Sequence, residues 1–338
     1  MYIDSHVHLR DFNQKYKETI KHGLEVARDS GLDAVLDMPN TDPSILSREI
    51  VVDRLKLAED AGVPDVFYGL YIGLTSDKEQ IKKAVDIYNE FLGVVGMKLY
   101  AGHSVGNLGV IDLENQYVVY ETLSKEGYNG VLAVHAEKES FINSDKFNFN
   151  LPITHCHARP EISEIESVKD QINLAKKTNF KGKLHIAHIS SPKAVELVND
   201  SKKYLDISCG VCPHHFIFDW NKMYNEEGLL FKMNPPLRSP ESREKIFQYL
   251  KEGKIDWIET DHAPHSLEEK AKNPFLSGIP GLPWWPLFEE YLRRNDFSDK
   301  QIEDLTFNNI INRFQIDITR KKKELKDRKN DYLFNPYK

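Results

Sequence analysis

The 338-residue chain has little cysteine, three residues at positions 156, 209 and 212. An odd and sparse set cannot build a disulfide framework, so stability must come from a core, and a reducing, cytoplasmic setting is expected. There is no apolar run near the ~20 residues of a membrane span. Nor does the chain open on a basic segment followed by an apolar stretch, so neither export nor membrane insertion is expected. Positive charge is not in excess either: 45 basic against 52 acidic residues give −7. That balance leaves no electrostatic footprint for nucleic acid or an anionic membrane. Internal repeats, low-complexity tracts and Gly/Ser linkers are also missing, so no boundary divides the chain into two large domains. What remains, 40% hydrophobic and 29% charged residues, is an ordinary globular balance that points to small-molecule chemistry.

Short β-branched or aromatic runs alternate with longer amphipathic stretches. The runs cover 2–4, 34–37, 66–71, 94–99, 131–135, 183–188, 205–212 and 257–260, and helical patterns cover 14–28, 48–61, 78–91, 162–177, 192–202 and 240–251. Eight βα units predict an α/β fold of the TIM (β/α)8 barrel type. Continuous apolar strands suit a parallel sheet whose outer face is covered by helices. The barrel is expected to span 1–312. Residues 313–338 are expected to form a C-terminal tail, in which Arg320-Lys321-Lys322-Lys323 reads as a solvated turn before a closing segment at Tyr332-Leu333-Phe334.

Chemistry in such a barrel sits at the carboxyl ends of the strands. Strand one ends in His6 and His8, which alternation places on one face, where they can grip one ion. Strand four ends in Lys98, strand five in His135, strand six in His188 and strand eight in Asp261. A protonated Lys98 would be repelled by a dication. Carbamylated, it becomes a carboxylate able to bridge two ions completed by the histidines and Asp261. In the other account Lys98 pairs with Asp261 or Glu137 and a single metal binds. Both accounts stand on the residues alone.

Taken in order, Asp4-Ser5-His6-Val7-His8-Leu9-Arg10, Asp37-Met38-Pro39-Asn40-Thr41, Met97-Lys98-Leu99-Tyr100, His135-Ala136-Glu137, Ala187-His188-Ile189-Ser190, Pro213-His214-His215, Asn234-Pro235-Pro236-Leu237-Arg238 and Thr260-Asp261-His262-Ala263-Pro264-His265 together resemble dihydroorotase, of the amidohydrolase superfamily. The resemblance runs from Asp4 to Leu282. It implies reversible hydrolysis of (S)-dihydroorotate to N-carbamoyl-L-aspartate in pyrimidine synthesis, with two Zn2+ per subunit bridged by carboxylated Lys98. One zinc would lie on His6, His8 and Asp261, the other on His135 and His188. A metal-bridging hydroxide would attack the ring amide, with Asp261 as general base and then acid. Arg10, Asn40 and His265 would hold the substrate carboxylate, and Asn234 would also touch substrate. As partners it implies a small-molecule substrate, and it is compatible with a homodimer and with association with aspartate transcarbamoylase.

The match also departs from the family. Many members begin with a small β-sandwich, for which a strand starting at Tyr2 leaves no room, so the tail is expected to be at most its remnant. Members often carry a glutamate three residues before Pro-His-His, where this chain has Gly210. Cys209 and Cys212, three apart on a strand, face opposite sides and read as core packing, and His185 faces away from His188. The loop 101–109, with three glycines, suits a lid. Two further readings compete: another cyclic amide hydrolase, such as an allantoinase or hydantoinase, and a non-catalytic partner of aspartate transcarbamoylase.

Overall fold

A computed structural model describes residues 2–103 and 108–338. Eight strands form one parallel sheet in chain order: β1 (Tyr2–Val7), β2 (Leu32–Asp37), β3 (Phe67–Gly73), β4 (Val94–Tyr100), β5 (Val131–His135), β6 (Lys183–Ile186), β7 (Ile207–Val211) and β8 (Trp257–Ile258). Helices Ile20–Asp29, Arg48–Asp60, Lys78–Glu90, Leu113–Lys125, Glu161–Lys177, Pro192–Ser201, Pro240–Lys251 and Trp285–Arg294 lie between and after them. The expected barrel is therefore present, and most boundaries fall within a few residues. The expected helix 14–28 starts later, at Ile20, because Thr19 is extended and its hydroxyl caps the His22 N–H. β6 stops before His188, whose φ of 40° turns the chain off the sheet. Among the described residues no helix is long and apolar enough to cross a membrane.

The barrel closes where its first and last strands meet. β8 is only two residues long, so side chains replace part of the ladder. The Asp4 carboxylate accepts from the Thr260 N–H at 3.1 Å, the Thr260 hydroxyl at 2.6 Å and the Trp285 indole at 3.0 Å. Above it Val7 bridges His262, and the His8 N–H donates to the His262 carbonyl at 2.8 Å. At the opposite end Phe314 plugs the barrel, its ring edge-on to Tyr71, with Ile316 beside it. The bottom is sealed by apolar packing, and the polar groups collect at the top.

The tail corrects the sequence-based expectation. Residues 332–334 form no strand, only a short 3-10 turn precedes them (Lys329–Asp331), and the basic cluster is not merely solvated. Arg320 pairs with Glu303, Lys321 with Asp65 at 2.9 Å, and Lys323 with the buried Asp33. Three of the four basic residues, Arg320, Lys321 and Lys323, meet a carboxylate of the barrel, so the charge run pins the strap to the barrel. Further on, the Tyr332 hydroxyl donates to Glu18 at 2.9 Å, and the Tyr337 ring packs on Phe288.

His22 joins strap to barrel, bonded to Glu18 at 2.5 Å and Asp331 at 3.0 Å. The Glu18 hydrogen bond, with the charges of both carboxylates, holds its imidazolium up to about 9 against the opposing effect of burial. A raised histidine stabilises the folded state fully below its ordinary value of ~6.5 and loses that contribution as the pH passes through the raised value. The urea midpoint should therefore fall more between pH 7 and 10 for the native chain than for His22→Gln. Parallel curves for the two would refute this.

Candidate active site

Nine of the ten residues marked from the sequence line one cavity of about 350 Å³ at the carboxyl end of the strands: His6, His8, Arg10, Asn40, His135, His188, Asn234, Asp261 and His265. The tenth, Lys98, lies fully buried on β4 and does not line the cavity.

The nitrogens and oxygens converge in two groups. His8 Nε2 is 2.9 Å and His6 Nε2 3.4 Å from Asp261 Oδ1. In the second group His135 Nδ1 faces His188 Nε2 at 3.2 Å. A tetrahedral site with bonds of ~2.0–2.1 Å has edges of ~3.4 Å, so both groups have the spacing of ligand pairs. The His6 and His188 rings, 5.0 Å apart, connect them. Burial holds His6, His8 and His188 well below the usual histidine range, which keeps them as neutral imidazoles, the ligand form.

Partners outside the cavity set which nitrogen is bare. His8 Nδ1 donates to Asn40 Oδ1 at 2.7 Å, leaving Nε2 for a metal. His135 Nε2 donates to Glu137 at 3.0 Å, leaving Nδ1. Glu137 is itself clamped by Arg159 through two bonds of 3.1 and 2.7 Å. Burial alone would raise the Glu137 carboxyl, but Arg159 and His135 keep it well below the carboxylate range. Arg159, which sequence reasoning left without a role, thus sets the His135 tautomer at one remove.

Lys98 Nζ has no hydrogen-bond partner among the described residues, and neither Asp261 nor Glu137 pairs with it. Burial pushes its ammonium down to about 8, opposed by the charges of Glu259 and Asp261. Burial likewise pushes the Asp261 carboxyl up, and Lys98 opposes the rise. An orphaned buried amine beside two imidazole groups fits a carboxylated bridge better than a lone ammonium. Three residues here are also held at positive φ: Arg10 at 28°, His188 at 40° and Asp261 at 51°. Such strain in non-glycine residues persists only where the surroundings over-determine it, and it concentrates at functional sites.

Sequence reasoning missed Glu259. Its buried carboxylate accepts from Ser5 Oγ at 2.8 Å and the His188 N–H at 2.6 Å, and it lies 3.9 Å from His6 Nδ1. It also holds His185 at 3.3 Å, which is stacked on Trp257 and is structural, as expected. Glu259 explains Gly210: a Cβ at 210 would stand 2.6 Å from the Glu259 carboxyl carbon. A carboxylate reaching in from β8 thus fills space that a side chain on β7 would need. The available signal was an acidic residue in a buried strand two positions before Asp261, on the same face.

Among the groups expected to bind substrate, Arg10 is only 3% exposed and donates to the Asn40 carbonyl at 3.2 Å, while its Nε has no partner among the described residues. His265 reaches the cavity wall, but its ring nitrogens are engaged by the Ser277 carbonyl at 3.0 Å and Glu269 at 3.4 Å. Asn234 sits beside Ser277, whose hydroxyl is 3.4 Å from its Oδ1. Of the expected lid, His103 lines the cavity, and 104–107 lie outside the described residues.

No family model matches the chain. It is 31% identical over 326 residues to a dihydroorotase of Methanosphaera stadtmanae, covering 93% of this chain and 70% of that one. It is 35% identical over 290 residues to a dihydroorotase of Brevibacillus brevis, covering 83% and 64%. The chain thus spans about two thirds of the length of these relatives. Among solved structures, the L-hydantoinase (dihydropyrimidinase) of Arthrobacter aurescens matches with a TM-score of 0.80 at 20% identity, over 93% of this chain and 70% of that one. The dihydroorotase of Saccharomyces cerevisiae in complex with 5-fluoroorotic acid matches at 0.76 and 18%, over 94% and 84%. At those identities the two structures speak for the barrel fold alone.

Proposed function

Since the chain belongs to the dihydroorotase family, we propose that it is a zinc-dependent dihydroorotase that reversibly hydrolyses (S)-dihydroorotate to N-carbamoyl-L-aspartate in pyrimidine (UMP) synthesis. The observation that carries this reading is Arg10: a buried guanidinium with an unspent Nε, in the same cavity as the two imidazole groups. A buried cation with spare donors calls for an anion, and a ring carboxylate answers it with paired bonds.

His6, His8 and Asp261 would hold one zinc, His135 and His188 the other, with carboxylated Lys98 between them. When bound, the ions supply Lewis acidity and a hydroxide at neutral pH. The remaining work falls to the chain. Arg10, with Asn40, fixes the carboxylate and so aims the scissile amide at the metal groups, and His265 joins them by exchanging its Nε2 bond to the Ser277 carbonyl for one to the substrate. Asp261 takes the proton of the attacking water and returns it to the leaving ring nitrogen. The lowered Lys98 value favours the free amine, the form that adds carbon dioxide.

Purified protein loaded with zinc should consume dihydroorotate and, in reverse, carbamoyl-aspartate. Inactivity in both directions across several pH values would overturn the reading. Arg10→Ala should lower kcat/KM by about 10–150-fold, mainly through KM, the scale of losing a hydrogen-bonded charge worth about 1.5–3 kcal/mol. Turnover of ring amides lacking a carboxylate, unaffected by that substitution, would point to a hydantoinase-like activity instead.

A further inference from the structure

A second cluster of donor atoms stands at the end of β7 and takes no part in the mechanism above. Cys212 precedes the short helix Pro213–Ile217, which carries His214 and His215. All three side chains are 97% or more buried, and one donor atom from each lies within 4.8 Å of the others. Neither nitrogen of His214 has a hydrogen-bond partner among the described residues. His215 Nε2 donates to the Pro235 carbonyl at 3.0 Å, which leaves Nδ1 bare and also without a partner. The two rings meet at 4.3 Å, tilted by 68°.

Three unsatisfied nitrogens in one buried corner cost free energy unless something answers them. Water would satisfy nitrogens but gains little from a thiol. A soft or borderline cation gains from one donor on each of the three side chains, because thiolate and imidazole are its preferred donors. The edges of a tetrahedron with one sulfur and two nitrogens are about 3.4–3.6 Å, so small side-chain rotations would close the set. The His215 bond to Pro235 is the outer contact that fixes a ligand imidazole's tautomer.

We propose that Cys212, His214 and His215 form a third metal site, independent of the two-zinc cavity, which takes a borderline divalent ion such as zinc or cobalt(II). Binding breaks the Cys212 S–H bond, forms a sulfur–metal bond and releases one proton to solvent. The other thiols are elsewhere: Cys209 on β7 points to the Lys254 carbonyl at 3.9 Å, and Cys156 sits in the helix Thr154–Ala158.

The test uses cobalt(II) alone as probe on the full chain after chelation. The two groups in the cavity offer only nitrogen and oxygen, so a thiolate-to-cobalt charge-transfer band reports on the new site specifically. The native chain should show the band and bind one equivalent more than Cys212→Ala, which should lose the band. A chain carrying Cys156→Ala and Cys209→Ala together, with Cys212 intact, should keep it, so the result does not depend on Cys212→Ala folding. Absence of the band from the native chain, its persistence in Cys212→Ala, its loss from the double variant, or equal metal counts would each overturn the proposal. The ions that Cys212→Ala still binds count the cavity sites, so failure of the two-zinc reading shows up separately.

Discussion

Replacing Lys98 by alanine is expected to remove one of two cavity metal equivalents and to lower turnover on the order of 10³-fold, the scale of losing a preorganised electrostatic group. Its Nζ is fully buried and has no partner among the described residues. A lysine that stayed an ammonium there would pay the cost of burying a charge without a partner, whereas a carboxylated one is an anion between two cations. The two states respond oppositely to chemical rescue. Short carboxylic acids such as acetate should restore part of the lost activity by occupying the space of the missing carboxylate, and short amines should not. Two metals retained in Lys98→Ala, or rescue by amines alone, would remove the bridge. Metal analysis and steady-state rates on one preparation suffice.

Asp261→Asn should cost about 10²–10⁴-fold in kcat with a smaller change in KM, the usual range for a general acid or base. Asparagine keeps the shape and, unlike most residues, tolerates the left-handed backbone at φ 51°. Circular dichroism and the unfolding midpoint should therefore stay close to those of the native chain. An amide can still offer a metal an oxygen, but it cannot carry the proton from water to the leaving nitrogen. A kcat within tenfold of the native value would move the proton shuttle to another group.

The positions of the strand-end candidates were legible because each is local. His6 and His8 on one strand, and Lys98, His135, His188 and Asp261 at the ends of four others, follow from alternation and the barrel's polarity, which need no knowledge of packing. What stayed hidden were arrangements that only tertiary contact creates. Gly210 reads as a lost carboxylate until Glu259 is seen reaching in from β8 to the place where its Cβ would be. Arg159 acquires a role only through Glu137, 22 positions away. The tail was misread for the same reason: Lys321 and Lys323 look solvated until Asp65 and Asp33, more than 250 residues earlier, come alongside.

The closing seam between β1 and β8 has a consequence for synthesis. His6 and His8 are made with β1, but their partner Asp261 and the His262 carbonyl that ties down His8 come some 250 residues later. At translation speeds of about 5–20 residues per second, the first strand waits on the order of ten seconds or more for the last. During that interval its histidines lack the Asp261 oxygen that would complete their group. A chain stalled before β8 would therefore be expected to hold the first ion weakly, and tight metal uptake becomes a marker that the ring has shut.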